Sequence, residues 1–174
     1  MKDLINLLLI DDNQEFLESL DDLFRDHNYT IRSVESVKAA EKVLENSEVD
    51  AIISDYNLID STGIELLSKI RKEGKNIPFI LISGNVTTEL VFAGLRLGAF
   101  EILDKPLDFE ILEQTVLHAI NCGIQQRNLL ERIRTKVAPE DAKMMLHLLK
   151  TPTMLRFANY DRIRLHQLTK DQAG

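Results

Sequence analysis

The feature that most constrains this chain is a fivefold alternation of short apolar runs with amphipathic segments. Each run is rich in β-branched residues, is too short for a buried helix and is bounded by acids, asparagine or glycine, so it predicts a β-strand. The predicted strands are INLLLI (5–10), YTIRSV (29–34), AIIS (51–54), PFILIS (78–83) and FEIL (100–103).

After each predicted strand, apolar residues recur at helical spacing. The five stripes are Phe16, Leu17, Leu20, Leu23 and Phe24; Val37, Ala40, Val43 and Leu44; Ile64, Leu67 and Ile70; the segment TELVFAGLRLG (88–98); and Ile111, Leu112, Val116, Ala119 and Ile120. Alternating strands and helices favour parallel pairing through right-handed crossovers, with helices on both faces of the sheet. The predicted fold class is therefore α/β, a doubly wound (βα)5 parallel sheet. For the strand order 2-1-3-4-5, ligands are expected at the carboxyl ends of strands 1 and 3.

Polar residues follow the predicted strands at that edge. Asp11 and Asp12 follow strand 1, Asp55 follows strand 3, Ser83 ends strand 4, and Lys105 lies before a proline after strand 5. Two carboxylates about 4 Å apart repel each other by roughly 4 kcal/mol at an effective dielectric near 20, so three together need a cation. Mg²⁺ accepts carboxylate, water and phosphoryl oxygens in octahedral geometry. The pattern therefore favours a metal-dependent phosphoryl site.

Five motifs in this order give the chain a specific resemblance to a known family. They are the acid pair of LLIDDN, the aspartate of IISDYNL, the hydroxyl-glycine step of ILISGN, the glycine of STGIELL and the Lys-Pro of GAFEILDKPL. Over about residues 1–122, the chain resembles the chemotaxis-regulator-like receiver domain of bacterial two-component response regulators. The resemblance implies a flavodoxin-like fold and a role in signal transduction and phosphorelay, and it implies no turnover of a small substrate.

The resemblance assigns roles to the site residues one by one. Asp55 is the expected phosphoacceptor, which attacks the phosphohistidine of a partner histidine kinase or phosphotransfer protein and becomes an acyl phosphate. Asp12, Asp55 and the backbone carbonyl of Asn57 are the expected direct ligands of Mg²⁺, and Asp11 is expected to act through a bound water. The expected cofactor is therefore Mg²⁺.

Two more residues complete the expected site. Ser83 is expected to donate a hydrogen bond to a phosphoryl oxygen once Asp55 is modified. Lys105 is expected to pair with Asp55 beforehand and with the phosphoryl group afterwards. Members of the family typically hold the bond between Lys105 and Pro106 in the cis form, against about 5 to 6% of X-Pro bonds in general.

The chain departs from the family pattern at two positions. Ile102 stands where receivers usually have Tyr or Phe, and its short β-branched side chain cannot make the same large rotamer change. Phe100 is expected on the opposite face of the sheet, where it is a poor substitute. We therefore expect phosphorylation with a muted or rerouted output. Ile59 stands where proline is common, which predicts a more mobile loop after Asp55.

Charge divides the chain into an acidic body and a basic tail. Residues 1–126 contain 11 Lys and Arg against 23 Asp and Glu, net −12, and residues 127–174 contain 10 against 5, net +5, which together give the overall −7. The expected domains are the receiver, 1–122, and a helical C-terminal extension, 123–174. The fifth helix is expected to run from about 108 to 137, across this boundary, with further helices starting near 139 and 151.

The apolar residues of this extension exceed what about 50 residues can bury alone, so it is expected to dock on the receiver or to pair with a second chain. A homodimer or a complex with a partner protein is the favoured outcome, and an extension that merely packs on the receiver is the alternative. Basic charge keeps nucleic acid open as a less favoured partner. No membrane contact is expected, because no run approaches the roughly 18 apolar residues of a span. The single Cys122 allows no internal disulfide, and the start of the chain has no export signal, which together favour a cytoplasmic location.

Two other function classes stay open from the residues alone. A phosphatase of the haloacid-dehalogenase type uses Asp-x-Asp after strand 1, whereas the acids here are adjacent and Asn13 follows them. A receiver-like scaffold that accepts no phosphate is the second class, and the intact set of site residues argues against it.

Overall fold

The computed structural model describes residues 5–25 and 29–136. Ten elements alternate along them: β1 (Ile5–Ile10), α1 (Gln14–Arg25), β2 (Tyr29–Val34), α2 (Val37–Asn46), β3 (Ala51–Asp55), α3 (Gly63–Lys72), β4 (Phe79–Ser83), α4 (Thr88–Leu97), β5 (Glu101–Asp104) and α5 (Phe109–Lys136). The five strands form one parallel sheet in the order β2-β1-β3-β4-β5. The predicted fold class and strand order are confirmed.

The central strands have no solvent-exposed face. Every residue of β3 and β4 is buried, whereas the edge strands β2 and β5 are only partly buried. Helices α1 and α5 pack on one face of the sheet, and α2, α3 and α4 pack on the other. Because both faces are covered, the strands are apolar throughout instead of alternating.

Side-chain caps fix where the helices on the second face begin. The hydroxyls of Ser36, Thr62 and Thr87 accept the backbone N–H three residues later, at the starts of α2, α3 and α4. Each cap satisfies a donor that the first helical turn would otherwise leave unpaired. At the other end of α4, Gly98 adopts a left-handed conformation with φ of 70°, which suits glycine. These caps place the strand-to-helix loops at the carboxyl edge of the sheet.

Two details of the predicted core needed correction. Ile111, expected in the buried stripe of the fifth helix, is 53% exposed, while Leu112 beside it is fully buried. The last strand begins one residue later than predicted, at Glu101. Phe100 packs with α1 and α5, whereas Ile102 packs on the other face of the sheet. Residues two apart within a regular strand would lie on the same face. Phe100 lies before the first residue of β5, so this alternation does not apply to it.

Helix α5 is a long helix of 28 residues, as the sequence predicts. It runs to Lys136, close to the expected end near 137. The chain divides within this helix into two units, Met1–Gln126 and Arg127–Gly174. The helices predicted after residue 137 lie outside the described residues, and the boundary at 122 stays a prediction. Among the helices of the described ranges, none is long and apolar enough to cross a membrane.

Candidate functional site

The first strand delivers a buried carboxylate to the carboxyl edge of the sheet. Asp11 follows Ile10 directly and is only 2% exposed. Its backbone N–H donates to the carbonyl of Val34, so the pairing with β2 continues to this residue. Its Oδ1 accepts the backbone N–H of Asn13 at 2.9 Å. Asp11 is therefore held in one orientation by the loop that leads into α1.

The third strand delivers a second buried carboxylate. Asp55 is the last residue of β3 and is 7% exposed. Its Oδ2 accepts the backbone N–H of Asn57 at 2.7 Å. Helix α3 packs closely behind this strand end, because a Cβ added to Gly63 would collide with the carbonyl oxygen of Asp55. The glycine of STGIELL is therefore required by the close approach of α3 to β3.

A single lysine joins these two carboxylates. The Nζ of Lys105 lies 2.6 Å from Oδ1 of Asp55 and 3.1 Å from Oδ2 of Asp11. The backbone N–H of Lys105 donates to the carbonyl of Ser83, which extends the pairing of β5 with β4. The bond to Pro106 is cis, as the family resemblance predicted. Residues 94 positions apart in the chain thus meet because parallel strands end at one edge.

Burial and charge pairing act against each other at this site. Burial raises the pKa of Asp11, and hydrogen bonds from Asn13 and Lys105 oppose the rise. Burial opposes the positive charge on Lys105, but its hydrogen bonds to Asp55 and Asp11 outweigh that effect and raise its pKa. Lys105 is therefore an ammonium at neutral pH. It supplies to two carboxylates the cation that electrostatics requires.

Ser83 lies at the same edge but is turned towards the next loop. It is 1% exposed, and its hydroxyl donates to the carbonyl oxygen of Asn85 and accepts the N–H of Asn85, both at 3.1 Å. The hydroxyl is thus hydrogen-bonded within the connection between β4 and α4. A hydroxyl has one proton to donate, so Ser83 must give up its bond to the carbonyl oxygen of Asn85 before it can donate to a group on Asp55.

The predicted metal ligands are hard oxygen donors, which suit Mg²⁺. Within residues 5–25 and 29–136, no group of three or more His, Cys, Asp or Glu side chains is arranged to hold a metal ion. Asp12 is exposed, whereas Asp11 and Asp55 are buried and form ion pairs with Lys105. A carboxylate oxygen has two acceptor positions, so both buried acids keep capacity for a further ligand. The donor chemistry fits Mg²⁺, and the ligand assignment stays a prediction.

The loop after Asp55 carries more hydrogen bonds than its sequence suggested. Asn57 pairs with Thr62 across the loop, and the N–H of Gly63 donates to the carbonyl of Tyr56. The carboxylate of Asp60 accepts the N–H groups of Val37 and Lys38, both at 2.9 Å. The isoleucine at 59 is 79% exposed at the tip. The loop is therefore attached to the start of α2, and its predicted mobility stays untested.

One residue of the site was assigned by its sequence pattern to the core alone. The Nζ of Lys105 lies 4.6 Å from the centroid of the Phe16 ring, within cation–π distance. Phe16 is only partly buried against the core of α1 and α5. Its helical spacing gave no signal of this contact; its position one turn after the acid pair is the signal that could have suggested it.

Ile102, the atypical residue, packs under α4. A Cβ added to Gly94 would lie 2.6 Å from Cδ1 of Ile102. Helix α4 therefore approaches β5 closely at this point, and the glycine makes room for the end of the isoleucine side chain.

The comparison with known families agrees with this edge of buried acids and lysine. The sequence model of the response regulator receiver domain matches residues 7–117. The chain belongs to this family. This receiver is 29% identical over 115 residues to the transcriptional regulatory protein GlrR of Escherichia coli (strain K12), covering 66% of the chain and 26% of the relative. It is 31% identical over 142 residues to the two-component response regulator ORR22 of Oryza sativa, covering 79% and 20%.

Solved receiver domains share its fold. The signal receiver domain of an HD domain-containing protein from Pseudomonas fluorescens Pf-5 matches with a TM-score of 0.69 and 25% identity, over 74% of this chain and 95% of that one. A CheY-like receiver domain protein from Methanospirillum hungatei JF-1 matches with a TM-score of 0.68 and 22% identity, over 71% and 99%. The receiver spans about a quarter of the length of GlrR and a fifth of that of ORR22.

Proposed function

We propose that this receiver accepts a phosphoryl group on Asp55 from the phosphohistidine of a partner kinase or phosphotransfer protein, in a Mg²⁺-dependent reaction. The observation that carries the proposal is the ammonium of Lys105 between the buried carboxylates of Asp55 and Asp11, in a chain that belongs to the receiver family. The modified receiver then switches its interactions, or those of its C-terminal helices, in a signalling pathway.

In the chemical step, an oxygen of the Asp55 carboxylate forms a bond to phosphorus as the bond from phosphorus to the partner's imidazole nitrogen breaks. The electron pair of that bond stays on the imidazole. The product is an acyl phosphate, so Asp55 loses its own charge while the site gains the charge of the phosphoryl oxygens. Positioning and charge stabilisation supply most of the catalysis in such a transfer.

Lys105 follows the charge through this step. Before the transfer its ammonium pairs with Asp55, and after it the same ammonium can pair with a phosphoryl oxygen while keeping Asp11 as its second partner. The N–H of Asn57 stabilises the Asp55 carboxylate beforehand at its other oxygen. Asp55 is thus oriented on both sides, with one oxygen on each donor.

The Mg²⁺ ion would be held by Asp12, Asp55 and the backbone carbonyl of Asn57, with Asp11 acting through water. When bound, it supplies positive charge that neutralises and orients the phosphoryl oxygens. Asp12 is exposed, whereas Asp11 and Asp55 are buried. The approach of its carboxylate to the ion is part of the proposal.

Ser83 and Ile102 concern the response to phosphorylation. Ser83 gives up the hydrogen bond that it donates to the carbonyl oxygen of Asn85 and donates instead to a phosphoryl oxygen. Ile102 is already packed against Gly94 and has no polar tip, so a large swing of this side chain does not accompany the change. The proposed consequence is an output that is muted at α4 and β5 or transmitted through the connection between β4 and α4.

The test is intact-mass measurement after incubation of the full chain with acetyl phosphate, with and without Mg²⁺, for the wild type and Asp55→Ala. One phosphoryl adduct that requires both Mg²⁺ and Asp55 is expected. Wild-type protein that forms no adduct even at short times, and that also fails to bind beryllofluoride with Mg²⁺, would contradict the proposal. That result would favour the phosphate-independent scaffold. Turnover of a generic phosphate ester would favour a phosphatase instead.

A further inference from the structure

Within residues 5–25 and 29–136, the ammonium of Lys105 contacts two acids and one aromatic ring. Asp55 and Asp11 accept its hydrogen bonds at 2.6 and 3.1 Å, and the Phe16 ring lies over it with 4.6 Å from Nζ to the centroid. The lysine side chain is 33% exposed, so it is not fixed by burial alone. A flexible four-carbon stem normally costs conformational entropy when it is held in one place. The ring is therefore a third restraint on a group that has to be in position.

An aromatic face restrains an ammonium differently from a third acid. Its electron-rich face attracts the cation without accepting a conventional hydrogen bond. The N–H donors therefore remain available to carboxylate or phosphoryl oxygens. A third carboxylate would instead compete with Asp55 for the same donors and would add negative charge where an anionic phosphoryl group has to bind.

Hydrogen bonds connect the ring to the site through the start of α1. The N–H of Asn13 donates to Oδ1 of Asp11, and Oδ1 of Asn13 accepts the N–H of Phe16 at 3.1 Å. The other oxygen of Asp11 accepts from Lys105, which lies under the ring of Phe16. These four residues form a closed set of contacts. The backbone of Phe16 is thus fixed relative to the carboxylate that its ring helps the lysine to reach.

We propose that Phe16 is a positioning residue for phosphoryl transfer, which acts by holding the Lys105 ammonium against Asp55 and Asp11 through its aromatic face. The inference rests on the proposed function, because it assigns Phe16 a role in the phosphorylation of Asp55. The alternative is that Phe16 only fills space in the core. A leucine could take over that structural role, but it could not replace an aromatic face over the ammonium.

The test compares Phe16→Leu, Phe16→Met and Phe16→Tyr in the full chain, with Phe92→Leu as a matched control. Phe92 is an exposed phenylalanine on α4, with 58% of its surface accessible. The rate constant for adduct formation with acetyl phosphate and Mg²⁺ is expected to fall about threefold to tenfold in the Leu and Met variants, the range that loss of a cation–π contact gives. The Tyr variant and the Phe92→Leu control are expected to stay within about twofold of the wild type, since Tyr keeps the aromatic face. Thermal unfolding midpoints, measured in parallel, show whether each variant is folded.

A second readout does not depend on phosphorylation. In the carbon-13 and proton NMR spectrum, the ring current should shift the ε-methylene signal of Lys105 upfield in wild type and Phe16→Tyr but not in Phe16→Leu. The signal is assigned by its loss in Lys105→Ala. Equal adduct rates for Phe16→Leu, Phe16→Tyr and wild type would overturn the positioning role while leaving the proposed function intact. No adduct on wild type would overturn the proposed function and this role with it, and an unshifted Lys105 signal would show that the contact itself is absent.

Discussion

A Cβ atom added to Gly94 on α4 would lie 2.6 Å from Cδ1 of Ile102 on β5, closer than two carbon atoms can approach. Glycine in a helix is otherwise unfavourable by about 1 kcal/mol relative to alanine. The close packing of α4 on β5 therefore accounts for this glycine. The same contact means that the side chain of the atypical Ile102 packs against a helix.

The first prediction is that the effect of Gly94→Ala on the free energy of unfolding changes sign with the residue at position 102. In the wild type the substitution is expected to be neutral or destabilising, because the end of the isoleucine must move. In an Ile102→Val background it is expected to stabilise by about 0.5 to 1 kcal/mol, because valine lacks the Cδ1 atom and alanine favours the helix. Urea unfolding of the four proteins measures the coupling. Equal effects of Gly94→Ala in both backgrounds would show that the contact does not control α4.

The second prediction concerns Arg71 at the end of α3. Its guanidinium donates to the carbonyl oxygens of Leu97, Gly98, Lys75 and Ile77 at 2.8 to 3.2 Å. Burial lowers its pKa to about 10, so the group is still charged at neutral pH. It therefore joins α3 to the end of α4 and to the connection before β4.

Removal of this group leaves partly buried carbonyl oxygens without a charged donor. Arg71→Ala is expected to lower the free energy of unfolding by about 3 kcal/mol, and Arg71→Lys by a smaller amount, because an ammonium cannot reproduce the planar fork. The exposed neighbour Lys72→Ala is the control and is expected to cost less than about 0.5 kcal/mol. Urea unfolding distinguishes the three. An Arg71→Lys variant as stable as wild type would mean that the fork geometry contributes nothing.

The third prediction is a pH dependence from Asp60. The N–H groups of Lys38 and Val37 hold the pKa of its carboxyl below its usual value. A carboxyl whose pKa is lowered on folding stabilises the protein above the pKa of the unfolded state, and this stabilisation is lost as the pH falls through the folded-state pKa. The difference in urea midpoint between wild type and Asp60→Asn should thus be constant near neutral pH and shrink below about pH 4.

The control for this effect is Glu48→Gln, an exposed acid in the connection between α2 and β3. The stability difference between this variant and wild type is expected to be less than about 0.5 kcal/mol, because the side chain is exposed. A difference for Asp60→Asn that grows as the pH falls would contradict the assignment, since it would mean that the protonated form is the one stabilised by folding.

The fourth prediction locates the response to phosphorylation. Hydrogen exchange is compared between the free chain and the chain with beryllofluoride and Mg²⁺. Protection is expected to change at the connection between β4 and α4, where Ser83 must leave Asn85, and to change little in α4 and β5, because Ile102 is already packed on Gly94. Ser83→Ala should abolish the change at that connection. A large change confined to α4, β5 and α5 would instead indicate the output route usual for the family.

Local sequence pattern determined much of the fold and part of the site. The period of apolar residues and the composition of short segments were enough to predict five strands and five helices. This works because the residues on the buried face of an element lie close together in the sequence. The family motifs then placed Asp55, Asp11, Ser83 and Lys105 at one edge. The structure brings Asp55, Asp11 and Lys105 into contact, whereas the exposed Asp12 is not part of this group.

Tertiary packing decided the contacts that no local window contains. Phe16 fits the core stripe of α1, yet its partial exposure over Lys105 depends on how α1 and the end of β5 meet, 89 positions apart in sequence. The hydroxyl of Ser83 could face either Asp55 or Asn85, and loop geometry selected Asn85. From the sequence alone, Gly94 is a residue that weakens a helix, and only the structure shows that Ile102 packs against it. Sequence by itself thus determined which elements form and which chemistry reaches the edge, whereas side-chain partners were set by three-dimensional packing, since they depend on distances between residues far apart in the chain.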